Sequence, residues 1–364
     1  MKTRTIIVSV AVWSLTGVLA GSSVVVAHAA PAAETDPRTL SSGDVELVLP
    51  LGLQPDAAFI PKDNPLSKAK IELGRMLYFD GRLSADGNVP CAGCHNPYHG
   101  YADPEAFSPG VGFKRGGRNS PTVTNRLFSA EQFWDGRAAD LEAQAHGPVT
   151  NPVEMALPSH EVAASRIAAV KGYPPLFAKA FGDPKVTMAR IAQAIASFER
   201  TVLSGDSAWD RWQAGDKQAL SPQQVRGFEV FRGKGNCETC HVSFNFTDEA
   251  YHNLGVGWDA STQTMKDKGR ADVTKVARDE GAFKTPTLRD IVLSAPYMHD
   301  GSEATLEEVI QFYDRGGNRN PNLDPKIKPL GLSASEEADL LAFMQALTGR
   351  NTQPHPVPSS DLPR

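Results

Sequence analysis

The chain carries Cys91-Ala92-Gly93-Cys94-His95 and, 146 residues further on, Cys237-Glu238-Thr239-Cys240-His241. Each is a C-x-x-C-H string, the pattern of covalent c-type haem attachment. The spacing follows from the chemistry. Two thiols separated by two residues add to the two vinyl groups of one porphyrin, and the adjacent imidazole ligates its iron. A thioredoxin-like redox pair has no use for a histidine repeated after both strings, and a zinc site would need the two pairs to converge. The strings consume every cysteine in the protein, so none is left for a structural disulfide. The sequence therefore reads as a dihaem c-type protein, with Cys91, Cys94 and His95 on one haem and Cys237, Cys240 and His241 on the other.

A helix over Ser67–Phe79, with Ile71, Leu73, Met76 and Leu77 on one period, runs into the first clip. Ser221-Pro222-Gln223-Gln224 is a capping box with proline at the first helical position, and it opens a matching helix before the second clip. Gly74-x-x-Leu77 in the first is echoed by Gly227-x-x-Val230 in the second, a weak repeat that implies two haem domains of one ancestry. Glu161–Val170 and Val186–Val202 read as amphipathic helices, and Ser-Gly-Asp-Ser at 204–207 interrupts the pattern. Phe244–Lys284 lacks apolar periodicity and reads as long connections. A helix opened by Thr305 runs through Tyr313 to Gly316-Gly317, and the last helix starts at Ser333 or Ser335. Strand signals are scarce. The expected fold is mainly α, with two cytochrome c-like haem domains packed together. Its parts are a leader over 1–29, a tether and irregular lead-in over 30–66, haem domains over 67–204 and 205–350, and a loose tail over 351–364.

With 364 residues, 41% of them hydrophobic and 22% charged, the chain is ordinary for a soluble globular protein of two domains. Its formal charge of -5 argues against nucleic acid as a partner and suits a basic redox partner. Lys2 and Arg4 precede an uncharged, mostly apolar run from Ile6 to Ala27, and Ala27-His28-Ala29 offers a small-x-small cleavage site. A cleaved secretory leader and a periplasmic protein are expected. The run is also long enough for an uncleaved anchor.

Haem with both axial positions filled transfers electrons, whereas haem with an open position can bind peroxide. What faces each iron across from His95 and His241 therefore decides the function. Among the other histidines, His99 is too close to His95 to reach the opposite face. For the rest, a surface or hydrogen-bonded role outweighs ligation.

Several longer stretches resemble the bacterial dihaem cytochrome c peroxidase family. They are Gly116-Gly117-Arg118-Asn119-Ser120-Pro121-Thr122-Val123, Gln132-Phe133-Trp134-Asp135-Gly136-Arg137, Asn151-Pro152-Val153-Glu154-Met155, Pro286-Thr287-Leu288-Arg289, and Ala295-Pro296-Tyr297-Met298-His299-Asp300-Gly301. The resemblance spans about residues 67–350. It implies an N-terminal haem where hydrogen peroxide reacts, a C-terminal haem that relays electrons, and a calcium ion between them.

Two departures matter. Those peroxidases cap the resting N-terminal haem with a histidine, and the matching position here is Val111, which implies an open His95 haem. They also place a methionine on the C-terminal haem, seventeen residues after the proline matching Pro296, and that position here is Tyr313. A tyrosine there is similar to the MauG branch, whose dihaem enzyme oxidises residues of another protein. Met298, 57 residues after His241, is the rival ligand. Thioether sulfur favours the reduced iron, whereas phenolate favours higher oxidation states.

Glu154 is the candidate general acid–base, because a carboxylate in an apolar pocket can take a proton from peroxide and return it to the leaving oxygen. The resemblance places Gln144 beside it as a hydrogen-bond partner, and Trp134 between the haems as an oxidisable indole. It also assigns Asn119, Ser294 and the Pro296 carbonyl to calcium, with serine where threonine is usual; hard oxygen donors suit that ion. MauG has a tryptophan before the second clip where this chain has Gly235, so a route to a protein substrate would differ; Trp209, Trp212, Tyr251 and Trp258 are candidates for it. Three functions are carried forward. The first is a MauG-like peroxidase drawing electrons from a periplasmic protein, either a redox protein or an oxidisable aromatic residue. The others are a conventional cytochrome c peroxidase with Met298 ligation, and a dihaem electron carrier without peroxide chemistry.

Overall fold

The computed structural model describes residues 36–351 and 357–364. The leader expected over 1–29 lies outside them. The fold is mainly helical, as the sequence implied. Helix α1 (Lys68–Tyr78) starts at Ser67, whose hydroxyl accepts from the Lys70 N–H. A single turn, α2 (Cys91–Cys94), holds the first clip. Helices α3 (Leu141–Thr150), α4 (His160–Ala169), α5 (Tyr173–Phe181) and α6 (Met188–Glu199) complete the first half. The second half contains α7 (Ala208–Gln213), α8 (Pro222–Arg232), the short α9 (Ala271–Thr274), α10 (Leu306–Asp314) and α11 (Ala334–Gln345). Ser221 and Gln224 cap α8 reciprocally, Thr305 and Glu308 cap α10, and Ser333 and Glu336 cap α11. Of the two expected starts for the last helix, Ser333 is the one used.

The repeat around the two glycines is structural. Gly74 lies where α1 crosses α6, and a side chain there would overlap the Ala194 carbonyl. Gly227 lies where α8 crosses α11, and a side chain there would overlap the Asp339 carbonyl. In both halves the helix leading into the clip therefore touches a later helix backbone to backbone, which only glycine permits. One core gathers Leu73, Leu77, Phe177, Ile191, Ile195 and Phe198, all at most 1% exposed. The other gathers Trp209, Phe231, Ile310, Phe343 and Leu347.

Four segments are more ordered than their sequence suggested. Within the lead-in, β1 (Thr39–Ser42) and β2 (Val45–Val48) form an antiparallel hairpin. Leu49 and Leu53 then pack with Leu127 and Leu203 in a third core, flanked by Phe128 and Phe244. From Thr39 on, this stretch is clamped against both halves; residues 30–35 of the expected tether lie outside the described residues. The tail is docked as well: Arg82 donates to the Pro363 carbonyl (2.9 Å), and the Gly172 N–H donates to the Arg364 carbonyl (3.1 Å). Between the halves, β3 (Ser204–Gly205) occupies the interruption and pairs with a far-off partner near residue 350. Inside the expected long connection, β4 (Tyr251–Asn253) has its partner strand at Ala282–Lys284.

Candidate active site

Both clips close by the same bond. The His95 N–H donates to the Cys91 carbonyl (2.9 Å), and the His241 N–H donates to the Cys237 carbonyl (2.9 Å). Each string is thereby curled into a turn that brings its thiols and imidazole to the wall of one cavity. None of the four cysteines is tied up in a disulfide. His95 Nδ1 lies 3.0 Å from the Pro121 carbonyl, and His241 Nδ1 lies 2.9 Å from the Phe246 carbonyl. A carbonyl only accepts, so Nδ1 carries the proton in each ring and Nε2 is the nitrogen left for iron.

The first cavity has about 1310 Å³ of empty volume, its open mouth included. Cys91, Cys94, His95, Trp134, Gln144 and Glu154 all line it, so the sequence candidates come together. Among the described residues, His95 is the one histidine on its wall. Glu154 sits in the turn after α3 and accepts from Asn151 Nδ2 (2.7 Å). Burial raises its carboxyl above the ordinary range, against the pull of Arg137 and Asn151. Gln144 projects from α3, whose cap is Asp140. Val111 is not on this wall; its N–H donates to the Glu154 carbonyl (2.8 Å), which ties the 110–113 turn to the acid. Two lining atoms, Arg126 Nε and Glu199 Oε2, are buried without a hydrogen-bond partner among the described residues. A dry pocket rarely leaves such atoms bare. A haem fits this donor set: thiols for its vinyl groups, an imidazole for its iron, and polar atoms at its edge.

The second cavity has about 1680 Å³ of empty volume and is lined by Cys237, Cys240 and His241. Tyr313, on α10, and Met298, in the turn before it, both line it, as does Met344. Burial holds the Tyr313 hydroxyl well above the ordinary phenol range, so a neutral phenol faces the cavity until a metal takes its proton. Asn119, Ser294 and Pro296, the three residues expected on calcium, also share this wall. The Asn119 amide nitrogen donates to the Glu105 carbonyl (3.1 Å), which leaves its oxygen as the atom for a cation. The donors are all oxygens, a set that suits calcium.

Five residues line both cavities: Asn119, Ser120, Pro121, Thr122 and Trp134. The indole Nε1 donates to the Asn119 carbonyl (2.8 Å), which fixes the Trp134 ring within this partition. Sequence reasoning missed Glu199, Arg126 and His252 as site residues. Glu199 could have been found from its register: it falls on the buried face of α6, four residues after Ile195, where a carboxylate is costly.

The profile of the family described as di-haem cytochrome c peroxidase matches residues 68–218. The methylamine utilization protein MauG of Methylorubrum extorquens is 41% identical over 297 residues, which cover 81% of this chain and 82% of that protein. The cytochrome c551 peroxidase of Nitrosomonas europaea is 39% identical over 319 residues, 86% of this chain and 90% of that one. Among solved structures, a MauG-like protein associated with microbial copper homeostasis superposes with a TM-score of 0.75 at 32% identity, covering 80% of this chain and 93% of that one. No described helix is long and apolar enough to cross a membrane.

Proposed function

This chain belongs to the di-haem cytochrome c peroxidase family, and from that premise we propose that it is a MauG-like peroxidase of the periplasm. The haem held by Cys91, Cys94 and His95 would supply the peroxide chemistry, and the one held by Cys237, Cys240 and His241 would pass on electrons from a protein partner, either a redox protein or an oxidisable aromatic side chain. Peroxide takes up two electrons and two protons to give two waters, and the haems supply the redox chemistry. The chain's own residues handle the protons. Glu154 accepts a proton from the incoming peroxide and returns it to the leaving oxygen, with Asn151 holding the carboxyl in place. Gln144 would donate a hydrogen bond to peroxide in this cavity, and Trp134 offers an oxidisable ring in the wall common to both cavities. Tyr313 would supply a phenol oxygen to the second haem's iron, and Asn119, Ser294 and Pro296 would offer oxygens to a calcium ion. The observation that carries this reading is one cavity in which His95, Glu154 and Gln144 meet and, among the described residues, no second histidine lines the wall.

Family membership sets aside the plain electron carrier. The conventional peroxidase stays in view because Met298 lines the same cavity as Tyr313. The first test is the EPR spectrum of the diferric protein before any reductant is added. One high-spin and one low-spin signal are expected; two low-spin signals would sink the open first haem. Steady peroxide turnover with a reduced small cytochrome c would favour the conventional reading.

A further inference from the structure

His252 stands on β4 at the rim of the second cavity, with a carboxylate on each ring nitrogen. Nδ1 lies 2.6 Å from Asp324 Oδ2, and Nε2 lies 2.9 Å from Asp248 Oδ2. The three side chains are 12–19% exposed. Carboxylates accept hydrogen bonds and do not donate them, so both contacts are satisfied together only by the doubly protonated ring. The triad sits against the second clip: Cys240 Sγ, an Asp248 oxygen and a His252 nitrogen lie within 4.8 Å of one another. Lys326 approaches from the other side, its Nζ 3.7 Å from Cys240 Sγ and 3.1 Å from the Thr239 carbonyl. Three such groups could hold a transition metal only while Cys240 is a thiol. Once that sulfur is bonded to a vinyl group it is a thioether, a weaker ligand, and the triad's remaining property is its charge.

We propose that His252 is a positioning residue for the second haem: an imidazolium clamped between Asp248 and Asp324 at the Cys240 edge, which raises that haem's reduction potential. With the ring charged the triad carries one net negative charge. Without it two carboxylates face the haem edge, and they favour the oxidised iron, the more positive state. Contact with Cys240 and, against the cost of burial, the two carboxylates push His252 above the ordinary imidazole range. After thioether formation the carboxylates remain as the cause. The inference requires haem on the second clip and nothing about peroxide, so its failure and the failure of the proposed function are separable.

The test is a spectroelectrochemical titration of the holoprotein, reading the two haems separately, for His252→Gln and for His252→Gln combined with Asp324→Asn. The single variant should lower the second haem's midpoint by at least a tenfold change in its oxidised-to-reduced ratio, which is 59 mV for one electron. The first haem should not move. The double variant restores one net negative charge and should return the midpoint to the parent's, which a merely structural defect would not do. An unshifted single variant, or a double variant displaced further than the single, overturns the proposal. If the single variant fails to retain its second haem, the double variant decides: a parental midpoint supports the proposal. Loss of haem there too would assign the triad to attachment and overturn it.

Discussion

The wall around His95 carries Glu154, Gln144, Glu199 and Arg126, whereas the wall around His241 carries Met298, Tyr313, Leu340 and Met344. The attachment turns of the two cavities close with the same 2.9 Å bond, the first as an α turn and the second as a 3-10 turn. The leading helices repeat too, each crossing a later helix at a glycine. The two halves thus share a means of holding a haem and differ in the walls that face it. One wall offers protons and hydrogen-bonding groups; the other offers side chains that can close a coordination sphere.

The strongest way to break this contrast is at Glu154. Replacing it with Gln should slow the peroxide reaction by roughly 10²–10⁴-fold, the usual worth of a positioned acid–base group. The second haem's spectrum should be untouched. Stopped-flow optical spectroscopy checks both, and a loss below tenfold would deny Glu154 its role. Because burial raises its pKa, the parent's rate should fall with acidification above the ordinary carboxylate range, and that limb should vanish in Glu154→Gln.

A second experiment sharpens the other wall. Tyr313→Phe should abolish the parental low-spin signature of the second haem, and Met298→Leu should leave it intact. The high-spin signal of the first haem is the internal control in both. The reverse outcome would assign the ligand to Met298 and move the protein to the conventional peroxidases.

The glycine crossings test whether the halves are equivalent supports. Gly74→Ala and Gly227→Ala each press a methyl group onto a carbonyl, and overpacking of this kind costs roughly 1–3 kcal/mol. Thermal denaturation followed at each haem should show each variant loosening its own half first. Uniform loss in both would mean that the halves unfold as one.

The smallest expected effect is at Glu199, whose carboxyl burial pushes up to about 8 from 4.5. Between those values the folded state holds a proton that the unfolded chain has released, so this group's stabilising contribution falls as pH rises and is gone above about 8. Glu199→Gln lacks this loss. Its Tm should exceed the parent's by on the order of a few degrees at pH 9 and converge with it near pH 5. Parallel curves at all pH values would mean that Glu199 is not protonated in the folded protein.

The clips were legible because thioether chemistry dictates their spacing, and the capped helices α1, α8, α10 and α11 were legible because hydroxyls and periodic apolar residues mark them. Helix α3 was missed, since Gly147 and Pro148 inside it read as breakers while its cap, Asp140, lies ten residues before its end. The β4 pairing and the docked tail escaped for another reason. Their partners lie far away in sequence, and nothing local announces a strand whose other half is 30 residues on. Glu154, Gln144 and Trp134 were found by motif and meet on one wall, while Glu199 had only its register to betray it.

The partition of Asn119, Ser120, Pro121, Thr122 and Trp134 has a consequence for how such a protein can change. Any substitution in it alters the walls of both cavities at once, whereas Tyr313 and Met298 belong to one cavity only. Exchanging one of those two for the other changes what faces His241 and leaves the wall around His95 as it is.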